Sequence, residues 1–226
     1  MSSSGDAVTW RMVAVVFWKD WKSEWRTRAG LNSSGLFAVA APIALSFSVA
    51  GQKLEAEVLA GLLWTVLLFA ALVGLSRAFI KEEESGTAAL LRLTYPAQAV
   101  LWGKALFNWA LLALTQLAAV PLFIILLNAR IENPGLLLGL LVLSDIGLAV
   151  AATLLGAIAG QARARGTLFA AIAVPVLLPL LMAAAAATAI AFGARGDSGP
   201  ALQIIASYDV AVLAAAWMLF DYVWSA

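Results

Sequence analysis

The chain has 226 residues, of which 63% are hydrophobic and 12% are charged, with a mean hydropathy of +0.95. Soluble domains are roughly 45–50% apolar and about 25% charged, so this composition excludes a soluble globular protein. The chain has no Cys and no His, which excludes disulfides and thiolate metal sites and removes the commonest metal ligand.

Residues 7–28 form the first predicted element, an amphipathic helix that lies along the inner leaflet of a membrane. Aromatic side chains recur at helical spacing on one side, and cations share the other side. The two sets are Trp10, Ala14, Phe17, Trp21 and Trp25, and Lys19, Lys22 and Arg26. Indoles favour the headgroup region, so Trp10, Trp21 and Trp25 are the expected interface anchors. The alternative, a helix packed on a soluble core, has no soluble domain to pack on.

Six apolar runs follow, each long enough to cross a bilayer core of about 30 Å at 1.5 Å per helical residue. They cover residues 31–50, 57–76, 104–127, 136–160, 167–192 and 201–222. The sequence therefore predicts an all-α integral membrane protein with a single transmembrane domain over residues 1–226. With a cytoplasmic amino terminus, eleven Lys and Arg residues lie inside and three lie outside. Because basic residues accumulate on the cytoplasmic side, both termini are predicted to be cytoplasmic.

The longest connection, residues 77–103, has the features of a segment that couples the membrane domain to a cytoplasmic partner. It contains an acidic run, a glycine and a short helix-like apolar stretch that Thr87 could cap and Pro96 could end. Exposed leucines here favour a partner that covers them, whereas the plain alternative is a solvated acidic loop. The predicted docking residues are Glu82, Glu83, Glu84, Gly86, Thr87, Leu90 and Leu91.

Several residues inside the apolar runs are candidates for a functional or a packing role. A carboxylate costs roughly 2.5–3.5 kcal/mol at a helix centre, so Asp145 is expected inside the bundle, as a transport residue or in a helix–helix hydrogen bond. Asp209 would lie near the outer surface if residues 200–207 form a re-entrant turn. Gly156 and Gly160 lie on one face and permit close helix packing. Pro175 and Pro179 distort the fifth span, as a pathway wall or as a simple kink.

No nucleotide-binding motif is present in the sequence. Gly30 and Gly35 have the spacing that opens a phosphate-binding loop, but Leu36 and Phe37 occupy the positions that require Lys and Ser or Thr. We therefore expect this chain to contain no catalytic residue and to bind no metal or cofactor itself. Any energised step would depend on another subunit or on an ion gradient.

Short stretches spread over nearly the whole chain carry a resemblance to a known family. They are Arg77-Ala-Phe79, Glu84-Ser-Gly86-Thr87, Leu90-Leu91, Lys104, Trp109, Leu155-Gly156-Ala157-Ile158, Arg163-Ala-Arg165-Gly166 and Pro175-Val-Leu-Leu-Pro179. In this order they resemble the membrane subunits of ABC-2-type exporters and, more narrowly, the haem exporter protein B (CcmB-type) family of cytochrome c maturation. The sequence departs from that family where Asn108 replaces the His that commonly precedes Trp109. With no His in the chain, haem is expected to be held by another subunit.

The resemblance implies a permease of the bacterial inner membrane that acts with a CcmA-like ABC ATPase subunit, in two copies, docked on residues 82–96. ATP would be bound by that partner, and the complex would use it for haem delivery or for release of a haem-loaded chaperone. The resemblance also implies a homodimer of this chain and further cytochrome c maturation membrane subunits; no nucleic acid is expected.

Two other functions remain open. One is an ABC-2-type exporter subunit for a lipid, drug or polysaccharide. The other is a structural or small intramembrane protein without an ATPase partner, which would need polar side chains clustered at one depth.

Overall fold

The computed structural model describes residues 3–49, 51–75, 86–160 and 165–225, and these residues form eight α-helices and no strand. The helices are α1 (Ser3–Thr27), α2 (Ala29–Val49), α3 (Ala56–Leu75), α4 (Thr87–Thr94), α5 (Ala97–Leu126), α6 (Pro134–Gly160), α7 (Arg165–Ala191) and α8 (Gly199–Ser225). All except α1 and α4 are long and apolar enough to cross a membrane. The predicted all-α fold with six membrane-spanning helices is therefore confirmed.

The third spanning helix starts earlier than the sequence predicted. A run over 104–127 was expected because Lys104 looked like a charged boundary, but α5 begins at Ala97, directly after Pro96. Proline suits a helix start because its fixed φ is already close to the helical value. Lys104 lies inside α5 and is fully buried, since a carboxylate from α1 pairs with its ammonium group.

The last spanning helix also differs from one of the expectations. No re-entrant turn forms over residues 200–207, because α8 runs without a break from Gly199 to Ser225. Asp209 therefore lies well inside the helix and is only 5% exposed. The condition for placing this acid near the outer surface is therefore not met.

The bundle is organised around α6, which packs against α5, α7 and α8. Lipid tails are as apolar as leucine, so helix association in a membrane relies on close packing of small residues and on interhelical hydrogen bonds. Small residues account for much of the buried surface of α6. They are Gly147, Ala149, Ala151, Ala152, Gly156 and Ala159. In contrast, α2 and α8 leave most of their surface exposed, as expected for helices at the periphery of a bundle.

The amino-terminal helix α1 packs mainly against α5. Val13 and Val16 are buried in this contact, whereas Trp10 and Trp25 are exposed. The approach is close enough to require glycine at position 103, because a Cβ atom there would lie 2.6 Å from Cβ of Val16. The contact with α5 therefore fixes which face of α1 points away from the bundle.

The short helix α4 lies at one end of the bundle, beside the carboxyl end of α8. Leu91 is buried with Phe220 and Trp224 of α8, and the Arg92 guanidinium lies over the Trp224 ring, 5.1 Å from its centroid. Thr87 is the first residue of α4, and no side chain caps the helix at Gly86. The predicted short helix is thus present, but Thr87 is not its capping residue.

Candidate functional site

Four polar residues of α5 are buried inside the bundle and form what we call the polar track. They are Lys104, Asn108, Thr115 and Gln116. At 1.5 Å per residue, the track extends about 18 Å along the helix axis. An unsatisfied polar group costs several kcal/mol in a membrane, so each of these side chains requires a partner. Their partners come from α1, α2 and α6.

The amino-terminal end of the track is a buried ion pair. Lys104 Nζ lies 3.1 Å from Asp20 Oδ2, and the other carboxylate oxygen of Asp20 lies 3.0 Å from Lys19 Nζ. Lys104 is fully buried and Asp20 is only 9% exposed. The pair connects α1 to α5, with both side chains buried, at the end of the bundle that also holds α4.

The middle of the track joins α5 to α6. Asn108 Nδ2 donates a hydrogen bond of 2.9 Å to Thr153 Oγ1, and the Thr153 hydroxyl donates in turn to the Ala149 carbonyl at 2.6 Å. Asn108 Oδ1 is buried and has no hydrogen-bond partner among the described residues. Among the described residues, the amide of Asn108 is therefore hydrogen-bonded through its nitrogen and not through its oxygen.

The carboxyl-terminal part of the track joins α5 to α6 again and also to α2. Gln116 Nε2 donates a 2.7 Å hydrogen bond to Asp145 Oδ1, and Asp145 is 2% exposed. Ser34 Oγ of α2 lies 3.3 Å from Thr115 Oγ1. Asp145 thus lies in the bundle interior with an amide donor from the neighbouring helix.

Asp209 of α8 lies outside the polar track, on another side of α6. Both of its carboxylate oxygens are buried without a hydrogen-bond partner among the described residues. The carboxylate points at Gly147, where a Cβ atom would collide with its Oδ1. The neighbouring Tyr208 hydroxyl donates to the Val176 carbonyl of α7 at 3.1 Å. Asp209 is therefore enclosed at the junction of α6, α7 and α8.

The remaining predicted intramembrane residues occupy two different environments. Gly156 and Gly160 are buried on α6. Pro175 and Pro179 are exposed on α7, whereas Leu177 and Leu180 form its buried face. The two prolines consequently lie away from the polar track and from Asp145.

The predicted docking residues are only partly brought together. Leu90 is 65% exposed and lies on α4 next to Gly86 and Thr87, which are also exposed. Leu91 instead points into the bundle. Leu93, which was not among the predicted docking residues, is 87% exposed and lies with Leu90 on the exposed side of α4. Glu82, Glu83 and Glu84 lie outside the described residues. We call Gly86, Thr87, Leu90 and Leu93 the docking face.

Sequence reasoning missed most of the polar track. The available signal was a set of polar side chains at helical spacing within one apolar run, from Lys104 through Asn108 to Gln116. Across the described ranges, no group of three or more acidic, His or Cys side chains could hold a metal ion. What the arrangement provides is a set of directional contacts between helices.

Comparison with known proteins identifies relatives for nearly the whole chain. The family described as CcmB protein matches residues 11–220. Heme exporter protein B of Rhodobacter capsulatus is 32% identical over 169 residues, which cover 70% of this chain and 71% of that protein. No solved structure matches.

Proposed function

The chain belongs to the CcmB protein family, and on that premise we propose that it is the permease subunit of a complex whose ATP hydrolysis takes place on a separate ABC ATPase subunit. The docking face is the observation that carries this proposal. Leu90 and Leu93 are largely exposed on a helix that lies outside the six spanning helices. Exposed apolar side chains at the aqueous end of a membrane domain favour a protein partner.

The packing of α4 against the spanning helices supports a role in coupling the ATPase subunit to the membrane domain. Leu91 is buried with Val100 and Leu101 of α5 and with Phe220 of α8. Tyr95 and Pro96 are the only residues between α4 and α5. A force applied to the docking face therefore reaches two spanning helices through packed side chains, without a long flexible connection.

The orientation follows from the distribution of basic residues. We place α1, α4 and both termini on the cytoplasmic side of the bacterial inner membrane, because Lys and Arg accumulate there. The three outer basic residues, Lys53, Arg130 and Arg195, are all exposed in connections at the opposite end of the bundle.

In this orientation α1 lies in the inner-leaflet interface. Trp10 and Trp25 are exposed and serve as anchors, whereas Trp21 packs partly against the bundle and stacks on Phe17 at 5.8 Å. Lipids brominated near the headgroup should quench the exposed indoles. Equal quenching by lipids brominated at the chain ends would contradict this placement.

The name of the similar Rhodobacter protein, heme exporter protein B, indicates the cargo class. We propose that the complex delivers haem or releases a haem-loaded chaperone, with haem held by another subunit because this chain has no His. Two ATPase copies would act on a homodimer of this chain together with further cytochrome c maturation membrane subunits. The purified chain alone should show no low-spin haem spectrum, and stoichiometric haem would overturn this assignment.

Co-purification from the native membrane tests the ATPase partner. The charge reversal Glu82→Lys/Glu83→Lys should abolish recovery of an ABC ATPase, because it inverts the charge of the acidic run that precedes the docking face in the sequence. The matched control is Glu55→Lys/Glu57→Lys, which inverts two exposed acids at the start of α3, on the predicted outer side. Recovery of the ATPase at unchanged stoichiometry with the first variant would contradict the proposal.

A further inference from the structure

Two carboxylates of α1, one helical turn apart, attach this helix to two different spanning helices. Asp20 pairs with Lys104 of α5, as described above. Glu24 Oε1 accepts a 2.8 Å hydrogen bond from the backbone N–H of Leu31, in the first turn of α2. Residues at i and i+4 share a helix face, so one side of α1 carries both attachments.

The Glu24 contact acts as a cap for α2. The first N–H groups of a helix have no partner within the helix, and a carboxylate there is favoured by the helix dipole. Glu24 fits closely, because a Cβ atom at Gly30 would lie 3.2 Å from its carboxylate oxygens. The chain turns between the helices at Arg28, whose φ is 52°. The turn from α1 into α2 is therefore fixed by a side chain as well as by backbone hydrogen bonds.

The Asp20 contact belongs to a close helix packing. Val13 and Val16 lie against Gly103 on the same side of α1 as Asp20, and a Cβ atom at Gly103 would lie 3.0 Å from the Val13 carbonyl. Removing one member of a buried ion pair leaves an uncompensated charge. A sliding or tilting motion of α1 relative to α5 would break both the packing and the ion pair.

We propose that Asp20 and Glu24 are positioning residues that make α1 a rigid link, so that a displacement of α5 is transmitted through α1 to the cytoplasmic end of α2. This inference rests on the proposed function, in which the ATPase acts on α4 and hence on α5. The Ser34–Thr115 contact joins α2 and α5 further along the helices. With α1 attached to both, the two helices are held at two levels and move together.

The absence of native cysteines allows the link to be measured with paired spin labels in lipid nanodiscs. One label pair replaces Trp18 and Phe47, which are exposed on α1 and α2. The other replaces Trp18 and Ile125, which is exposed on α5. In the parent chain, each pair should give one narrow distance distribution.

Each of the two contacts of α1 should determine the width of the distance distribution of one label pair. Glu24→Met should abolish the narrow peak of the Trp18–Phe47 pair, and Glu24→Gln, which keeps an acceptor oxygen, should restore it. Asp20→Asn should abolish the narrow peak of the Trp18–Ile125 pair, and the exchange Asp20→Lys/Lys104→Asp should restore it. Narrow distributions in folded Glu24→Met and Asp20→Asn would overturn the proposal.

Transmission is then tested in the complex with the ATPase, with one label at Phe47 of α2 and the other at Met182, which is exposed on α7 and lies outside the link. A non-hydrolysable ATP analogue should shift this distance in the parent, and Glu24→Met should lose the shift while the ATPase stays bound. A shift of unchanged size in Glu24→Met would refute the link. If no ATPase binds the parent chain, the proposed function fails, whereas the distributions measured without partner still decide whether α1 is attached as described.

Discussion

The amino-terminal part of α5 and the middle of α8 both bury a charged residue in an apolar bundle, but they do so in different ways. Lys104 has a carboxylate 3.1 Å away, whereas Asp209 has no hydrogen-bond partner for either oxygen among the described residues. A glycine allows close packing at each place. Gly103, next to Lys104, lies against α1, and Gly147 lies against Asp209. The packing is equally close at the two places, and the difference lies in the polar partner.

This difference separates two kinds of buried charge. A buried pair contributes little net free energy while it is intact, but it is costly to break because the remaining charge stays buried. An unpaired buried carboxyl contributes no such contact, so its removal leaves no orphaned group behind. Mutations at the two places should therefore affect stability very differently.

The largest effect is expected for Lys104→Met, which removes one member of the pair. It should lower the free energy of unfolding by up to about 3–5 kcal/mol, because Asp20 stays buried and, among the described residues, keeps the partly exposed Lys19 as its cationic partner. The measurement is the midpoint of denaturant-induced unfolding in detergent micelles. Lys104→Met/Asp20→Leu removes both charges and should recover most of the loss. A single variant as stable as the parent would show that the pair does not hold α1.

A smaller loss is expected for Gly147→Ala, which places a methyl group against Asp209. Overpacking of a close helix contact costs typically 1–3 kcal/mol, so the thermal unfolding temperature should fall. Gly139→Ala on the same helix is the control, because nothing lies within 4 Å of the added Cβ. If both variants behave alike, the close approach of α8 to α6 is wrong.

The sequence predicted most of the bundle and little of the polar track, for a physical reason. Length and hydropathy identify spanning helices because each apolar run is bounded by charge or turn residues. Lys104 misled this reasoning because a cation in an apolar run usually lies at a membrane boundary, and its partner Asp20 is 84 positions away in the sequence. Asp20 itself was overlooked among the cations of α1.

The same limitation applies to the two intramembrane acids and to the docking segment. Asp145 could be assigned to the bundle interior from its position alone, but its donor Gln116 could not be recognised before the helices were paired. For Asp209 two positions stayed open because Pro200 suggested a turn, whereas proline near a helix start continues into the helix. In α4, the sequence could not show that Leu91 turns inward and Leu93 outward.

Matched truncation of the two acids compares a paired with an unpaired carboxyl directly. Asp145→Ala leaves the Gln116 amide without its acceptor, and orphaned buried groups cost about 1–3 kcal/mol. Among the described residues, Asp209→Ala removes no hydrogen-bond partner from another group. Its loss in free energy of unfolding should therefore be smaller than that of Asp145→Ala by about 1–3 kcal/mol. Unfolding of the two variants under identical conditions checks this difference. Equal losses would mean that Asp209 has a partner that its surroundings do not reveal.

The smallest effect is expected for a neutral contact between α3 and α7. Trp64 Nε1 donates a 2.8 Å hydrogen bond to Thr188 Oγ1, and both side chains are buried. In a double-mutant cycle of Thr188→Val and Trp64→Phe, the coupling free energy should be about 0.6 kcal/mol, the average for such contacts in a membrane protein. A coupling as large as the loss caused by Lys104→Met would show that charge is not what distinguishes the amino-terminal end of α5.

The affinity of the purified ABC ATPase for this chain in nanodiscs tests the proposed function most directly. Leu90→Ser/Leu93→Ser should weaken binding about tenfold or more, because each factor of ten corresponds to about 1.4 kcal/mol and both side chains are exposed on the docking face. Ile131→Ser, in the connection between α5 and α6 on the predicted outer side, should leave the affinity unchanged. Parent-like affinity in the α4 variant would contradict docking at α4.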